Sequence, residues 1–303
     1  MTVPGTITQR PATREDAAAV AAILAEDETA LVGHPSRMTE VDVLGWWLGT
    51  DLEQDSWLLE EEGRLVAAGW FEHYGPIGFH VGVVAQGAKS RGLGGKLVDL
   101  GEGRATAVGA ARAQTFGPAL DRAAAELFES RGYAEVRRFF DMAIELTEPV
   151  PEPSLPDGLA IETFVEEDAR VFHDAMDEAF QDHWEHHPRP FEQWWEQKRT
   201  APDYDPTLWF LIRDGDEVAA TVRNDPERNG GGYVGAIGVR RPWRGRGLAK
   251  ALLVHTFAEF QRRGQTRVTL GVDAENPTGA TKLYERIGMH VEMEGVVFEK
   301  ALA

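Results

Sequence analysis

"GYVGAIGVRRPWRGRGLAKALL", Gly232–Leu253, decides how this chain is read. Its first part is a short apolar run of the kind that forms a buried strand. From Leu248 onward the spacing is that of an amphipathic helix. Between them stand Arg240, Arg241, Arg244 and Arg246 with two glycines, Gly245 and Gly247, in a chain of formal net charge −19. A solvated basic turn has no need of glycines at that spacing, although a tight strand-to-helix turn alone could use them. An anion cradle needs them. Glycine lets the backbone approach an anion closely, and the first N–H groups of the following helix have no intrahelical partner. The arginines add positive charge beside a ligand that the rest of the protein repels.

The bulk numbers suit a two-domain globular protein of 303 residues, 43% hydrophobic and 27% charged. An excess of 50 Asp and Glu over 31 Lys and Arg argues against nucleic acid as the partner and admits a cationic substrate. The absence of cysteine excludes disulfides, thiolate metal sites and a cysteine nucleophile within the chain. No run approaches the ~20 apolar residues of a membrane span. "MTVPGTITQRPATRED", Met1–Asp16, lacks the apolar core of a signal peptide. The expectation is a cytoplasmic protein that engages neither membrane nor nucleic acid. Composition says nothing of its oligomeric state.

"TEPVPEPSLPDG", Thr147–Gly158, carries four prolines and three acids and reads as a linker. It divides the chain into residues 1–148, a Pro-rich linker 149–157, and residues 158–303, and the two large parts look alike. "RGLGGKLVDLGEGRA" from Arg91 echoes "RGRGLAKALLVHTFAEF" from Arg244, and "AAAELFESRGY" from Ala123 echoes "GATKLYERIGM" from Gly279. Gly132 and Gly288 are 156 apart (288 − 132 = 156), as are Gly82 and Gly238 (238 − 82 = 156). Repetition at one offset points to a tandem duplication. In the second part, "LAIETF" reads as a strand, "VEEDARVFHDAMDEAF" and "FEQWWEQKR" as helices, and "LWFLIRDGDEVAATVRND" as a hairpin. "LAKALLVHTFAEFQRRG" is a helix stopped by Gly264, "RVTLGVDA" a strand, and "TGATKLYERIG" a helix stopped by Gly288. "HVEMEGVVFEKAL" reads as a closing strand pair. The fold class is α+β, with two tandem domains, each a mixed β-sheet flanked by helices.

The strand, the Arg244-x-x-Gly247-x-Ala249 turn, Asn276 beyond the next strand and the Leu283-Tyr284-Glu285 triplet together resemble the GNAT acyl-CoA N-acetyltransferases. The resemblance implies acetyl-CoA as co-substrate, no metal, and a small-molecule primary amine as acceptor. It implies that Arg244, Gly245, Arg246, Gly247, Leu248 and Ala249 cradle the pyrophosphate of coenzyme A, while Ile237, Gly238 and Val239 offer a strand edge to pantetheine. It makes Tyr284 the acid that protonates the leaving thiolate. A phenol can do this where a phenylalanine cannot. A core aromatic on an amphipathic helix is the other reading of Tyr284. Asn276, followed by Pro277, sits where a helix N-cap would, with coenzyme contact second.

A neutral amine requires a proton acceptor. The tandem mycothiol synthase branch that this architecture resembles has a glutamate on the strand before the turn, and Tyr233 holds that place here. Glu178, Asp182 and His183, within "DEAFQDHWEHHPRPFEQWW", are the further candidates for binding a cationic amine or taking its proton; solvated surface charge is the alternative for each. His183, His186 and His187 also suggest a metal, but without cysteine and beside Pro188 none is expected. Trp184, Trp194 and Trp195 read as pocket wall or core. In the first part, Lys89 replaces the arginine, Gly92 and Gly94 keep a cradle-like turn, Phe128 replaces the tyrosine, and the asparagine position falls near Leu120. Catalysis is therefore expected in the second part. A non-catalytic acyl-CoA sensor is the competing reading, and it has no use for Tyr284.

Overall fold

A computed structural model describes residues 6–201 and 203–302. The chain runs β1 (Ile7–Arg10), α1 (Ala17–Val32), α2 (Glu40–Trp46), α3 (Leu52–Asp55), β2 (Ser56–Glu61), β3 (Arg64–Tyr74), β4 (Ile77–Val84), α4 (Leu93–Ala107), β5 (Arg112–Pro118), α5 (Arg122–Ser130) and β6 (Ala134–Glu145). It continues with β7 (Ala160–Thr163), α6 (Ala169–Phe180), α7 (Phe191–Arg199), β8 (Phe210–Asp214), β9 (Glu217–Arg228), β10 (Gly231–Val239), α8 (Leu248–Arg262), β11 (Arg267–Asp273), α9 (Ala280–Arg286) and β12 (His290–Ala301). Apart from the four-residue α3, which has no α-helical counterpart in the second copy, the same order of elements occurs twice.

The described residues form two compact units that are not contiguous halves. Phe140–Glu292 make one, and the residues before Phe140 and after Glu292 make the other. In the first unit the strand order is β1-β2-β3-β4-β5-β12, and in the second it is β7-β8-β9-β10-β11-β6. The pairs β4/β5 and β10/β11 are parallel, whereas β5/β12, β8/β9 and β9/β10 are antiparallel, so each sheet is mixed. The closing segment is thus one strand rather than the expected pair. Gly295–Ala301 run antiparallel to Pro118–Arg112 without interruption. Gly295 passes directly over Phe116, where a Cβ would fall 2.0 Å from the ring. Here the glycine serves close approach and not a turn.

The Pro-rich stretch also differs from the linker expectation, because it lies within the second unit. Its prolines cannot donate to a ladder, so side chains fasten it. Gln261 accepts from the Val150 amide (3.1 Å) and donates to the Glu148 carbonyl (2.8 Å), while Val150 and Leu155 pack on the unit's core.

In the second unit α6 packs on β9 and β10 and α8 packs on β8, β9 and β10. A bulge explains how one strand serves both helices. Side chains of a regular strand alternate, so residues six apart share a face. Yet a Cβ at Gly232 would strike Phe260 of α8 (2.5 Å), and one at Gly238 would strike Ala179 of α6 (2.7 Å). The register shift between Val234 and Ala236 inserts Gly235 and flips the alternation. Gly232→Ala should therefore destabilise the unit by about 1–3 kcal/mol, since the Phe260 ring is fully buried and has nowhere to go. A thermal melt lowered by several degrees is the expected result, and an unchanged melt would show that the ring can yield.

Candidate active site

The site begins where two parallel strands part. β10 and β11 are in register only at Gly232/Val268 and Tyr233/Thr269, although they run on to Val239 and Asp273. The bulge at Gly235 lies just beyond the last paired residue. Past it, the β11-facing edge of β10, which includes Ile237, Gly238 and Val239, has no strand partner among the described residues. Backbone polar groups in such an edge need a partner, and an extended amide-containing chain can supply one.

The loop after β10 leads that edge into α8. Gly245 (φ +76°) and Gly247 (φ +82°) both take the left-handed conformation that side chains other than glycine disfavour. None of the amides of Gly245, Arg246, Gly247, Leu248, Ala249 and Lys250 donates to a backbone carbonyl among the described residues; the first that does is Ala251, to Gly247 (3.1 Å). Six consecutive donors at a helix N-terminus suit an anion.

The arginines are placed differently from the sequence reading. Arg244 donates to the carbonyls of Val239 and Ala179 (both 3.1 Å) and to Asp182 (2.9 Å). Arg241 also grips Asp182 (2.5 Å), and Arg240 grips Glu178 (2.6 Å). These contacts fasten α6, β10 and the loop together, leaving the amides as the principal anion donors. The Arg241 and Arg244 guanidiniums hold the Asp182 carboxyl down to about 2. Glu178 and Asp182 are counter-ions of the loop in this structure. Arg246 is exposed, 3.5 Å from Asp214.

Tyr284 lies on α9, held inward with Ala280, Leu283 and Ile287 as their spacing requires. Burial, with a contribution from the nearby Tyr233, pushes its phenol up to about 12. Its hydroxyl makes no hydrogen bond among the described residues. Tyr233, on β10, is also pushed up by burial, against the opposing influence of the Arg228 guanidinium 4.8 Å from its ring centre. A Cβ on Gly271 would come within 3.5 Å of the Tyr233 hydroxyl and 3.7 Å of an Asp141 carboxylate oxygen. His183 stacks on Phe180 with ring centres 4.2 Å apart, and burial lowers its pKa. Asn276 is not the N-cap of α9, which is Gly279 in the left-handed region. Its side chain accepts instead from the amide (2.9 Å) and hydroxyl (2.5 Å) of Thr278, closing the turn that leads in.

A cleft of about 330 Å³ opens on the α6 side of β10, lined by Phe172, Met176, Trp194, Lys198, Arg223 and Ala236 among others; Met176 and Phe180 of its wall come within 3.3 and 3.6 Å of a Cβ built at Gly238. Trp194 is pocket wall, as one of the sequence alternatives had it. Lys198 and Arg223 went unnoticed in the sequence. A signal for Arg223 exists: it is a charged residue between Val222 and Asn224, both buried in β9.

The first unit repeats the backbone but not the side chains. Gly92 (φ +80°) and Ser90 (φ +61°) form the corresponding turn, and the amides from Ser90 to Gly95 likewise make no backbone hydrogen bond among the described residues. Lys89 is ion-paired with Asp27. Phe128 packs against Phe298 (5.2 Å) and Tyr133 (6.1 Å), and Leu120 is exposed.

The chain is similar to known proteins in family, sequence and fold. The acetyltransferase (GNAT) family matches residues 169–289, which span the cleft, the loop and Tyr284. A mycothiol acetyltransferase of Thermobispora bispora is 33% identical over 215 residues, 68% of this chain and 70% of that protein. The chain belongs to the GNAT family. A mycothiol acetyltransferase of Paenarthrobacter aurescens is 30% identical over 211 residues, 66% of this chain and 63% of the relative. A crystal structure of a GCN5-related N-acetyltransferase from Sphaerobacter thermophilus superposes with TM-score 0.84 at 35% identity, covering 99% of this chain and 97% of that one. A tandem GNAT protein from the clavulanic acid biosynthesis pathway shares the fold at TM-score 0.75 and 16% identity, with 98% of each chain covered. The tandem GNAT organisation with mixed sheets, read from the repeat, is present.

Proposed function

We propose that the second GNAT unit transfers acetyl from acetyl-CoA to the primary amine of a small molecule, with Tyr284 as the acid. The observation that carries this reading is the presence in one unit of three things: a parted β10 edge, six undirected amides, and a buried phenol whose hydroxyl makes no hydrogen bond among the described residues. Ile237, Gly238 and Val239 would bind pantetheine, and the amides of Gly245 to Lys250 the pyrophosphate. The neutral amine forms a carbon–nitrogen bond to the acetyl of acetyl-CoA as the carbon–sulfur bond breaks; the thiolate takes the Tyr284 proton, and the proton shed by the nitrogen passes through solvent and restores the phenol. A phenol at about 12 is protonated throughout the neutral range, so Tyr284 can deliver its proton there. Tyr233, raised in the same direction, stays protonated too and serves as a hydrogen-bond donor or wall.

The relatives named mycothiol acetyltransferase favour an acceptor of the mycothiol type as the second reading. An acceptor screen with purified protein, acetyl-CoA, a panel of amines and a free-thiol readout tests both. Acetylation of at least one amine, dependent on Tyr284, is expected. Coenzyme binding with no transfer to any amine would favour the sensor reading.

A further inference from the structure

The cleft contains more positive charge than its own carboxylates neutralise. Lys198 reaches it from α7 and makes no hydrogen bond or ion pair among the described residues. Arg223 reaches it from β9, its guanidinium lying over the bulge, where a Cβ on Gly235 would come within 2.5 Å of Nη2. Arg189 completes the set from the turn before α7, bonded to Gln197 (2.8 Å). Facing them, Asp225 is shared between Arg223 and Arg228. The remaining charged or titratable groups of the lining lie in carboxylate–histidine contacts, Asp177 near His186 (3.1 Å), Glu185 near His187 (3.6 Å) and Asp174 near His173 (2.9 Å), each an ion pair only when its histidine is protonated. The like charge of Arg223, more than burial and the smaller influences of Arg189 and Arg228, brings the Lys198 ammonium down to about 7 against the opposing pull of Asp225. Repulsion of this kind is relieved when an anion enters.

We propose that the acceptor amine carries an anionic group, a carboxylate or a phosphate, and that Lys198, with Arg223 and Arg189 beside it, holds that group. The proposal rests on the acetyl-transfer reading of the same site and narrows its substrate class. It reverses the cationic preference suggested by the acidic composition, because Glu178 and Asp182 already neutralise Arg240, Arg241 and Arg244. Planar guanidiniums and a mobile ammonium both bind such oxygens well. The sign of the pH dependence follows. Lys198 must be protonated to bind the anion, and the bound anion raises its pKa. Affinity is therefore full below pH 7 and falls as pH rises past it.

The test compares ethanolamine, β-alanine and O-phosphoethanolamine as acceptors, which share a primary amine and differ in a hydroxyl, a carboxylate or a phosphate. In parallel, acetate and inorganic phosphate are titrated at constant ionic strength, with coenzyme A present, into the full chain and its Lys198→Met and Lys198→Arg variants; binding heat is followed by isothermal calorimetry. The expected result is anion binding weakened about tenfold in Lys198→Met and largely kept in Lys198→Arg. The kcat/KM ratio of the preferred anionic acceptor to ethanolamine should fall by a similar factor in Lys198→Met. Whether the carboxylate or the phosphate is preferred identifies the group. Equal anion affinity in the parent and Lys198→Met, or ethanolamine as the best acceptor, overturns the proposal. Lys198-dependent anion binding with no transfer to any amine would overturn the catalytic reading instead and leave the anion site standing.

Discussion

Tyr284→Phe is expected to keep the fold and coenzyme A binding while lowering kcat by about 10²–10⁴, the usual contribution of a positioned general acid. The packing argument supports the first half of this expectation. Tyr284 is 6% exposed, and phenylalanine fills the same volume among Ala280, Leu283 and Ile287. Phe128 already occupies the matching place in the first unit, buried against Phe298. Since the hydroxyl makes no hydrogen bond among the described residues, its loss should cost less than the ~1 kcal/mol of an average bond. The chemical argument supports the second half, because the phenol is the buried acid beside the parted strands and is raised to about 12. Steady-state kinetics beside thermal melts with and without coenzyme A measure both. A kcat within about threefold of the parent would make Tyr284 a core residue and return weight to the sensor reading.

Gly247→Glu is expected to abolish coenzyme A binding, whereas Gly92→Glu leaves the stronger site intact. No protein atom lies within 4 Å of a Cβ at either position, and both residues have nearly the same backbone (φ +82° and +80°). The two substitutions therefore carry the same left-handed strain, about 1–2 kcal/mol. What differs is the ligand they face. A carboxylate set about 4 Å from a phosphate at an effective dielectric of 20 costs on the order of 4 kcal/mol, near a thousandfold in affinity. In the first unit the turn already meets acidic groups, since Lys89 is held by Asp27 and lies 4.0 Å from Asp121. Isothermal calorimetry on the two variants separates the sites. Loss of binding in Gly92→Glu alone would show that the first unit is the binding one.

Much of this site was legible because its parts are local. The strand, loop and helix around Gly245 and Gly247 are contiguous, and the inward face of α9 follows from helical periodicity alone. The roles of the charged residues were not legible. Arg244 looked like a phosphate ligand until the structure put Asp182 and two carbonyls around it. Lys198 carried no signal in the sequence, and the structure puts it beside the same cleft as Arg223, which comes from a different element. Ion pairing depends on distances between elements, and no spacing along the chain encodes those.

From sequence alone came the two copies, the order of elements in each, and the placing of the candidate site at one strand–helix turn, because each reading follows from short-range periodicity and glycine chemistry. Only the tertiary structure decided which copy each closing strand joins. β6 (Ala134–Glu145) and β12 (His290–Ala301) are both 12 residues long and begin at the repeat offset (290 − 134 = 156). Duplication gives them equivalent patterns, so either could complete either sheet as far as alternation is concerned. The choice rests on long-range contacts. Phe298 packs on Phe128, Glu299 takes Arg112 and Gln114, and Lys300 takes Glu102 in the first unit. In the second, Glu145 joins Glu292 on the buried Arg267. Side-chain fit across the sheet, and not the strand pattern, closes each unit with a strand from the far copy.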